Sequence, residues 1–326
     1  MDPTQLIADL RTRQPAALAR AISLVENGRH GFEELLSRIH PSVGRARRIG
    51  VTGPPGAGKS TLTEQLVRAF RAQDLMVAVV AVDPTSPFTG GALLGDRIRM
   101  ESVALDAGVF IRSMATRGSL GGLATTTREV CDVLDAGGFD RIIIETVGVG
   151  QSELDVGRSA DSTLLVLVPE SGDGIQALKS GVMEIADLFV VNKADRPGAD
   201  RMRNEIEATL SIRAGSPRRH ARVSPDGWNH IVLTATASQG EGIAAVVDGL
   251  EQHHQWLLRS GSLVERRRAR LLDRTREVVN RAVRAWLWNE TTVQQQIEAR
   301  LDALSAGQVS PYEVANDVMD GLKALS

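Results

Sequence analysis

Gly53–Ser60, with the sequence GPPGAGKS, matches in full the phosphate-binding pattern G-x-x-x-x-G-K-[ST]. In this pattern glycines let the backbone curl so that its N–H groups point at a β-phosphate, the lysine neutralises phosphate charge, and the hydroxyl group is offered to Mg²⁺. The flanks fit, because Arg47–Thr52 reads as a short buried strand and Leu62–Phe70 carries apolar residues at helical spacing. We therefore predict a nucleoside triphosphate site, with Lys59 also catalytic, formed by Gly53, Gly56, Ala57, Gly58, Lys59, Ser60 and Thr61.

A second motif indicates which nucleotide binds. The tetrapeptide NKAD, Asn192–Asp195, follows the apolar run Ala186–Val191. The Asp195 carboxylate can accept hydrogen bonds from both the ring N–H and the exocyclic amine of guanine, a pair of donors that adenine lacks. We expect Asn192 to tie this loop to the phosphate-binding segment and Lys193 to lie along the base. GTP and GDP are thus predicted over ATP, and the nucleotide-binding set also includes Gly148, Asn192, Lys193, Asp195, Thr236 and Ala237.

Composition places the chain among soluble globular proteins. Its 326 residues, 42% hydrophobic and 24% charged, allow one large core with appendages. The net charge of −2 gives no general attraction to nucleic acid or to an anionic membrane. The single Cys131 excludes a disulfide within the chain and fits a reducing compartment. Because we find neither an apolar run of about 18 residues nor an export signal, we predict a cytoplasmic protein with no membrane partner.

Between residues 43 and 258, apolar runs of strand length alternate with helical stretches. The runs are continuous, which predicts strands buried on both faces and hence a mostly parallel sheet covered by helices. Ligands of such α/β folds bind at the carboxyl ends of the strands, where the two motifs fall. We therefore predict a P-loop NTPase domain whose further strands lie near Val77–Val82, Val109–Ile111, Arg141–Ile144, Thr163–Val168, Leu188–Val191 and His230–Thr234.

Helical segments flank this domain on both sides. Residues 1–42 carry apolar residues at helical spacing and predict an N-terminal helical extension. Residues 259–326 predict a C-terminal helical arm with an apolar stripe that includes Leu271, Val279 and Trp286. An amphipathic helix outside the main core needs a partner surface, and self-association as a homodimer is the simplest. The arginines of this arm are interleaved with acidic residues, which favours a solvated face over a nucleic-acid site.

Three acidic residues near strand ends indicate a metal and switch apparatus. Asp83 follows a strand, where a carboxylate can reach the Mg²⁺ shell, commonly through water. Asp96 lies in a glycine-rich loop of the kind that reorders around a γ-phosphate. Glu145 follows another strand, and Gly148 beyond it can turn its N–H onto the γ-phosphate. We predict Ser60, Asp83, Asp96 and Glu145 at the Mg²⁺ site, with Glu145 also catalytic; the alternative for each acid is a helix cap or a loop turn.

Six stretches are specific as a set: GPPGAGKS (53–60), DPTSP (83–87), GGALLGDRIRM (90–100), RGSLGGLATTTRE (117–129), ETVGVGQSE (145–153) and NKAD (192–195). Together they resemble the MeaB/ArgK family, the bacterial relatives of the methylmalonic aciduria type A protein. The resemblance implies a SIMIBI-class P-loop GTPase that forms homodimers through a C-terminal helical arm. It also implies a partner, adenosylcobalamin-dependent methylmalonyl-CoA mutase, whose cofactor loading the GTPase gates and which it protects from inactivation.

The resemblance implies roles for single residues as well. By it, Asp83, Asp96 and Glu145 belong to the Mg²⁺ and switch apparatus. Ser171–Lys179 matches a further switch that relays the nucleotide state to the mutase, which gives a role to Asp173, Gln176 and Lys179, the last also as a catalytic residue. The chain has no cobalamin-binding motif of the D-x-H-x-x-G type, so we expect that cobalamin is not bound directly.

The residue after the switch glycine bears on the rate of hydrolysis. In many signalling GTPases a glutamine at this place orients the attacking water, whereas here it is Val149. We therefore predict slow intrinsic hydrolysis, which the mutase accelerates by reordering the switch loops. Gln151, Lys179 or Arg97 would then complete the site.

Three other functions stay open as alternatives. A metal-insertion GTPase, of the sort that loads nickel enzymes, shares the fold class, but the chain has no Cys-x-x-Cys, and His253 and His254 would face apart on a helix. A kinase tied to arginine and ornithine transport would use ATP, against which the NKAD motif argues. The third alternative is a binding module that never hydrolyses nucleotide, and the presence of Lys59, Ser60 and Glu145 argues against it.

Overall fold

A computed structural model describes residues 3–84, 100–116, 122–146, 152–169, 182–213 and 227–323. Its strands are β1 (Arg47–Thr52), β2 (Val77–Pro84), β3 (Val109–Thr116), β4 (Arg141–Thr146), β5 (Ser162–Leu167), β6 (Leu188–Asn192) and β7 (Ile231–Ala235). They form one parallel sheet in the order β3-β2-β4-β1-β5-β6-β7. The prediction of an α/β P-loop fold with a mostly parallel central sheet and flanking helices is confirmed.

Fourteen α-helices lie within the described ranges. They are α1 (Pro3–Arg11), α2 (Pro15–Glu26), α3 (Phe32–Ile39), α4 (Lys59–Arg71), α5 (Glu101–Ala104), α6 (Gly122–Ala136), α7 (Ser152–Ser159), α8 (Val182–Ile185), α9 (Ala199–Arg213), α10 (Ile243–Ser260), α11 (Ser262–Asn289), α12 (Val293–Glu298), α13 (Leu301–Ser305) and α14 (Pro311–Lys323). Two short 3₁₀ turns, His40–Ser42 and Ala237–Gln239, complete the described elements.

One face of the sheet packs against α4 and α10. In α4 the buried residues Leu62, Leu66 and Phe70 recur every four residues, so they lie along one side of the helix. They meet Ile49 of β1 and Ile143 of β4, which are register partners and therefore share a face of the sheet. This packing fixes the first turn of α4 against the carboxyl end of β1.

The opposite face is covered by α6, α7 and the N-terminal helices. Leu18 and Ile22 of α2 are buried in the same cluster as Leu134 of α6 and Ile142 of β4. The predicted N-terminal helical extension thus packs on the sheet domain, within one compact unit that spans residues 1–268. The predicted domain divisions after residues 42 and 258 stay predictions.

Residues 269–326 form a second compact unit, which contains most of α11 and the helices α12 to α14. Three apolar side chains of α11 in this unit are about half exposed: Val279 at 53%, Val283 at 52% and Trp286 at 46%. In the described part of the chain, every helix is too short or too polar to cross a membrane.

Candidate nucleotide-binding site

The loop between β1 and α4 is built from glycines that no other residue replaces without strain. Gly53, Gly56 and Gly58 have φ values of +140°, +75° and +83°. A Cβ atom on Gly53 would lie 2.1 Å from the carbonyl oxygen of Val166, and one on Gly58 would lie 2.4 Å from Nδ2 of Asn192. The loop therefore passes close to β5 and β6 while it curls, as a phosphate-binding loop must.

Lys59 stabilises the curled loop. Its side chain is buried, and Nζ donates to the carbonyl oxygens of Gly53 at 2.8 Å and Pro54 at 3.0 Å. The first bond inside α4 runs from the Leu62 N–H to the Gly58 carbonyl oxygen at 2.9 Å. The N–H groups that precede this bond are those of Lys59, Ser60 and Thr61, and the first N–H groups of a helix suit a phosphate ligand. The ammonium group adds a full positive charge to this end of the helix.

Ser60 and Glu145 come together at the carboxyl ends of β1 and β4. The Ser60 hydroxyl donates to Oε1 of Glu145 at 2.6 Å, and the Glu145 side chain is fully buried. Hydroxyl and carboxylate oxygens are ligands that Mg²⁺ takes in proteins. The donor set therefore fits a magnesium ion bound beside nucleotide phosphates.

The second motif is joined to the first by one amide. Asn192 is buried, and its Nδ2 donates to the Ala57 carbonyl oxygen at 2.8 Å. Its Oδ1 accepts from the Ala237 N–H at 3.1 Å. Thr236 is buried next to Ala237, and its N–H donates to the Glu241 carbonyl oxygen at 3.0 Å. One side chain thus links the phosphate loop, β6 and the turn after β7.

The residues after Asn192 turn sharply at the same edge of the sheet. Lys193 has a φ of +56°, in the left-handed region, and its carbonyl oxygen accepts from the Arg196 N–H at 3.0 Å. Asp195 within this turn is exposed, so its carboxylate is accessible to a ligand. The connection from β1 to β2 runs toward one side of the sheet, whereas the connection from β4 to β5 runs toward the other side, past β1. Such a reversal of strand order marks the ligand crevice of α/β sheets.

For several predicted site residues, the structure does not describe the side chain or the whole residue. Asp83 is in β2, but its side chain is not among those described. The residues outside the described ranges are Asp96, Arg97, Gly148, Val149, Gln151, Asp173, Gln176 and Lys179. Sequence reasoning did not identify the Asn192 contact with Ala237; the position of Ala237 just after a strand was the only signal for it.

Comparison with known proteins points the same way. Residues 18–292 match the model of the family described as methylmalonyl-CoA mutase-associated GTPase MeaB. A Pyrococcus abyssi protein classed among the GTPases is 44% identical over 316 residues, which cover 97% of this chain and 95% of that protein. The mouse mitochondrial methylmalonic aciduria type A homolog is 33% identical, over 98% of this chain and 79% of its own length.

A solved structure shares the fold over the whole length. The crystal structure of a LAO/AO transport system kinase has a TM-score of 0.70 and 28% identity, and the match covers 98% of this chain and 97% of that one. The family match, the relatives and the phosphate and NKAD loops agree on GTP hydrolysis as the family's activity. This chain belongs to the MeaB family of methylmalonyl-CoA mutase-associated GTPases.

Proposed function

We propose that this protein is a GTP-hydrolysing chaperone of an adenosylcobalamin-dependent acyl-CoA mutase, with methylmalonyl-CoA mutase as the client. The family match over residues 18–292 carries this proposal. The chaperone binds the mutase, gates the loading of adenosylcobalamin and protects the enzyme from inactivation, while cobalamin itself contacts only the partner. The protein acts in the cytoplasm as a homodimer, for which the exposed apolar side chains of α11 provide support.

The described geometry supports a division of labour around the nucleotide. The loop Gly53–Ser60 and Thr61 hold the phosphates, with Lys59 neutralising charge on the β- and γ-phosphates. The base is held by Asn192, Lys193 and Asp195 together with Thr236 and Ala237. Ser60 and Glu145, with Asp83 and Asp96, would hold Mg²⁺, which would supply positive charge against the charge that develops on the phosphates.

Hydrolysis joins a water oxygen to the γ-phosphorus and breaks the bond to the bridging oxygen, so that GDP and inorganic phosphate leave. Lys59 and the N–H groups of the phosphate loop stabilise the leaving β-phosphate charge. We assign Gly148, Asp173, Gln176 and Lys179 to the switch segments that respond to the γ-phosphate and to the mutase. With Val149 in place of a glutamine, intrinsic turnover is slow, and the mutase accelerates it.

GTP turnover with and without a cobalamin-dependent acyl-CoA mutase from the same genome tests the proposal. We expect slow turnover alone and strong stimulation by the mutase, with ATP inactive in both cases. Lys59→Ala is the control for contaminating hydrolases, because it removes the phosphate-loop charge. Equal turnover with and without the mutase contradicts the chaperone proposal, and turnover of ATP in preference to GTP would favour a kinase like the LAO/AO neighbour.

A further inference from the structure

Two arginines begin neighbouring strands at the amino-terminal end of the sheet, opposite the nucleotide site. Arg47 is the first residue of β1 and Arg141 the first of β4, and the two are register partners. Register partners in parallel strands share a face, so both arginines lie on the side covered by α4 and α10. All strands are parallel, and the phosphate loop follows the carboxyl end of β1. This arginine pair is therefore separate from the nucleotide site by the full length of the strands.

A cavity of about 200 Å³ opens at this amino-terminal end, between the sheet, α4 and α10. Arg47 and Arg141 line it, together with Phe70 of α4 and with Glu251 and His254 of α10. Since a water molecule occupies about 30 Å³ in the liquid, the space admits a small molecule of several heavy atoms. Its lining combines an aromatic wall with convergent charged groups, as ligand sites do.

Two of the three acidic side chains that line the cavity already accept hydrogen bonds from other residues. Glu251 accepts from Arg47 and from Gln255. The Asp161 carboxylate accepts from Arg267 Nη2 at 2.8 Å and from the Arg48 N–H at 3.1 Å. Arg48 itself pairs with acidic residues of α6, which lies on the opposite face of the sheet. The remaining acid, Asp248, is exposed at the rim.

Arg141 differs from Arg47 and Arg48, both of which form an ion pair with a carboxylate. Its Nη1 donates to the Asp140 carbonyl oxygen at 3.2 Å, and its guanidinium lies 5.5 Å from the centre of the Phe70 ring. Among the residues that the structure describes, no carboxylate oxygen lies within salt-bridge distance of it, while Arg47 adds a like charge nearby. Burial and the Arg47 charge lower the pKa of Arg141 to about 10, although the charges of Glu251 and Asp140 act in the opposite direction. The positive charge of this partly buried guanidinium is therefore not neutralised by an ion pair among the described residues, and an anion beside it would be stabilised.

We propose that the cavity binds a small oxyanion, a phosphate or carboxylate group, with Arg141 as its main ligand and Arg47 and His254 beside it. The planar fork of a guanidinium matches both groups with two parallel hydrogen bonds. Phe70 holds the fork in place from one side. Glu251 limits affinity because it competes with the ligand for Arg47.

Isothermal titration of the full-length protein tests this site. The protein is first saturated with a non-hydrolysable GTP analogue, which fills the phosphate loop, and is then titrated with inorganic phosphate and, separately, with succinate. We expect saturable binding, and the stronger of the two arms identifies the anion class. Arg141→Gln should weaken that binding about tenfold or more, since it removes a charged bidentate partner. Glu251→Gln should tighten it, because it removes a competing negative charge and keeps an acceptor for Arg47.

Arg201→Gln is the matched control, because it makes the same substitution at an exposed arginine that does not line the cavity, and it should leave anion binding unchanged. No saturable binding of either anion in the millimolar range overturns the proposal. So does equal affinity in wild type and Arg141→Gln, or an equal loss of affinity in Arg141→Gln and Arg201→Gln, which would assign the binding to general surface charge. If Arg141→Gln fails to give a native circular dichroism spectrum, Glu251→Gln decides, and weaker binding in that variant overturns the proposal.

Discussion

At the scale of the residue, Gly58 shows how tightly the phosphate loop is fitted to its neighbours. Gly56 and Gly58 both have positive φ, so alanine at either position carries a strain of about 1–2 kcal/mol. Only at Gly58 would the new Cβ also meet Asn192, whereas around Gly56 nothing lies within 4 Å. Gly58→Ala should therefore lose the Asn192 bond to Ala57 and cost about 1–3 kcal/mol more than Gly56→Ala.

Urea unfolding and GDP titration of both variants check this. Gly58→Ala should also bind GDP more weakly, since Asn192 joins the phosphate loop to the NKAD segment. Equal unfolding free energies in the two variants would show that the contact with Asn192 is not what requires glycine there.

His254 gives the protein a pH dependence of known sign. Burial, and next the charge of Arg47, lower the pKa of its imidazole; Arg141 acts in the same direction, while Asp161 and Glu251 oppose it. The folded state therefore binds this proton less readily than the unfolded chain, in which the pKa of histidine is about 6.5. Stability from the neutral ring is present above that pH and is lost as the pH falls through the folded pKa.

The pH dependence of the free energy of unfolding should differ between wild type and His254→Gln. Between about pH 7 and pH 5.5, the free energy of unfolding of the wild type should fall more steeply than that of His254→Gln. Denaturant titrations in phosphate-free buffer measure both, since an anion in the neighbouring cavity would alter the same charges. Parallel curves would mean that His254 has the same pKa in the folded and unfolded states.

At the scale of the element, most strands could be predicted because their cause is local. β5 and β6 are buried along their whole length, and each contains a continuous apolar run, Leu164–Leu167 in β5 and Leu188–Val191 in β6. β3 continues to Thr116, whereas we predicted its end at Ile111. β3 is an edge strand, where Arg112 can reach Glu26, and its length is set by pairing with β2 rather than by apolar character. The edge position is a property of the sheet and not of the segment.

The nucleotide site and the arginine cavity differ in the same way in how far the sequence predicts them. The nucleotide site could be located from the sequence because GPPGAGKS and NKAD each carry their chemistry within a few adjacent residues. The cavity with Arg47 and Arg141 could not, since these residues are brought together only by the register of β1 on β4. Nothing near either arginine in the sequence distinguishes it from the other arginines.

The start of α11 is fixed by Arg267. Its Nη2 and Nε donate to the Asp161 carboxylate at 2.8 and 3.2 Å, and Nη2 also donates to the Ala46 carbonyl oxygen at 3.0 Å. Asp161 is 2% exposed in its side chain, while Arg267 is 27% exposed. Arg267→Ala should therefore cost about 2–3 kcal/mol, toward the lower end of the cost of breaking a buried pair because water reaches the arginine.

Two further variants make this prediction specific. Arg267→Lys keeps the charge but not the fork, and should lie between wild type and Arg267→Ala. Arg201→Ala removes an exposed pair with Glu205 one helical turn away and should cost about 0.5 kcal/mol or less. Denaturant unfolding measures all three, and an equal cost for Arg201→Ala and Arg267→Ala would show that the α11 contact is no stronger than a surface pair.

At the scale of the whole molecule, the apolar side chains of the second unit require an explanation. Val279, Val283 and Trp286 are spaced by four and three residues on α11, so they share one face of the helix, and each is about half exposed. Contiguous apolar surface of this kind on a soluble protein marks an association site. A helix face that pairs with the same face of a second copy gives a two-fold dimer with closed symmetry.

We therefore expect the wild type to be a dimer by size-exclusion chromatography with light scattering, and Val283→Asp to be a monomer, because an aspartate buried in the apolar interface would lack a partner. Arg284→Asp is the control. It places the same residue one position further along α11, on the other side of the helix, and changes the charge by more, so it should leave the dimer intact. A monomeric wild type at micromolar concentration, or equal dissociation in both variants, would contradict a dimer through this face. The mutase would then be the first other partner to test, by repeating the GTP turnover with Val283→Asp.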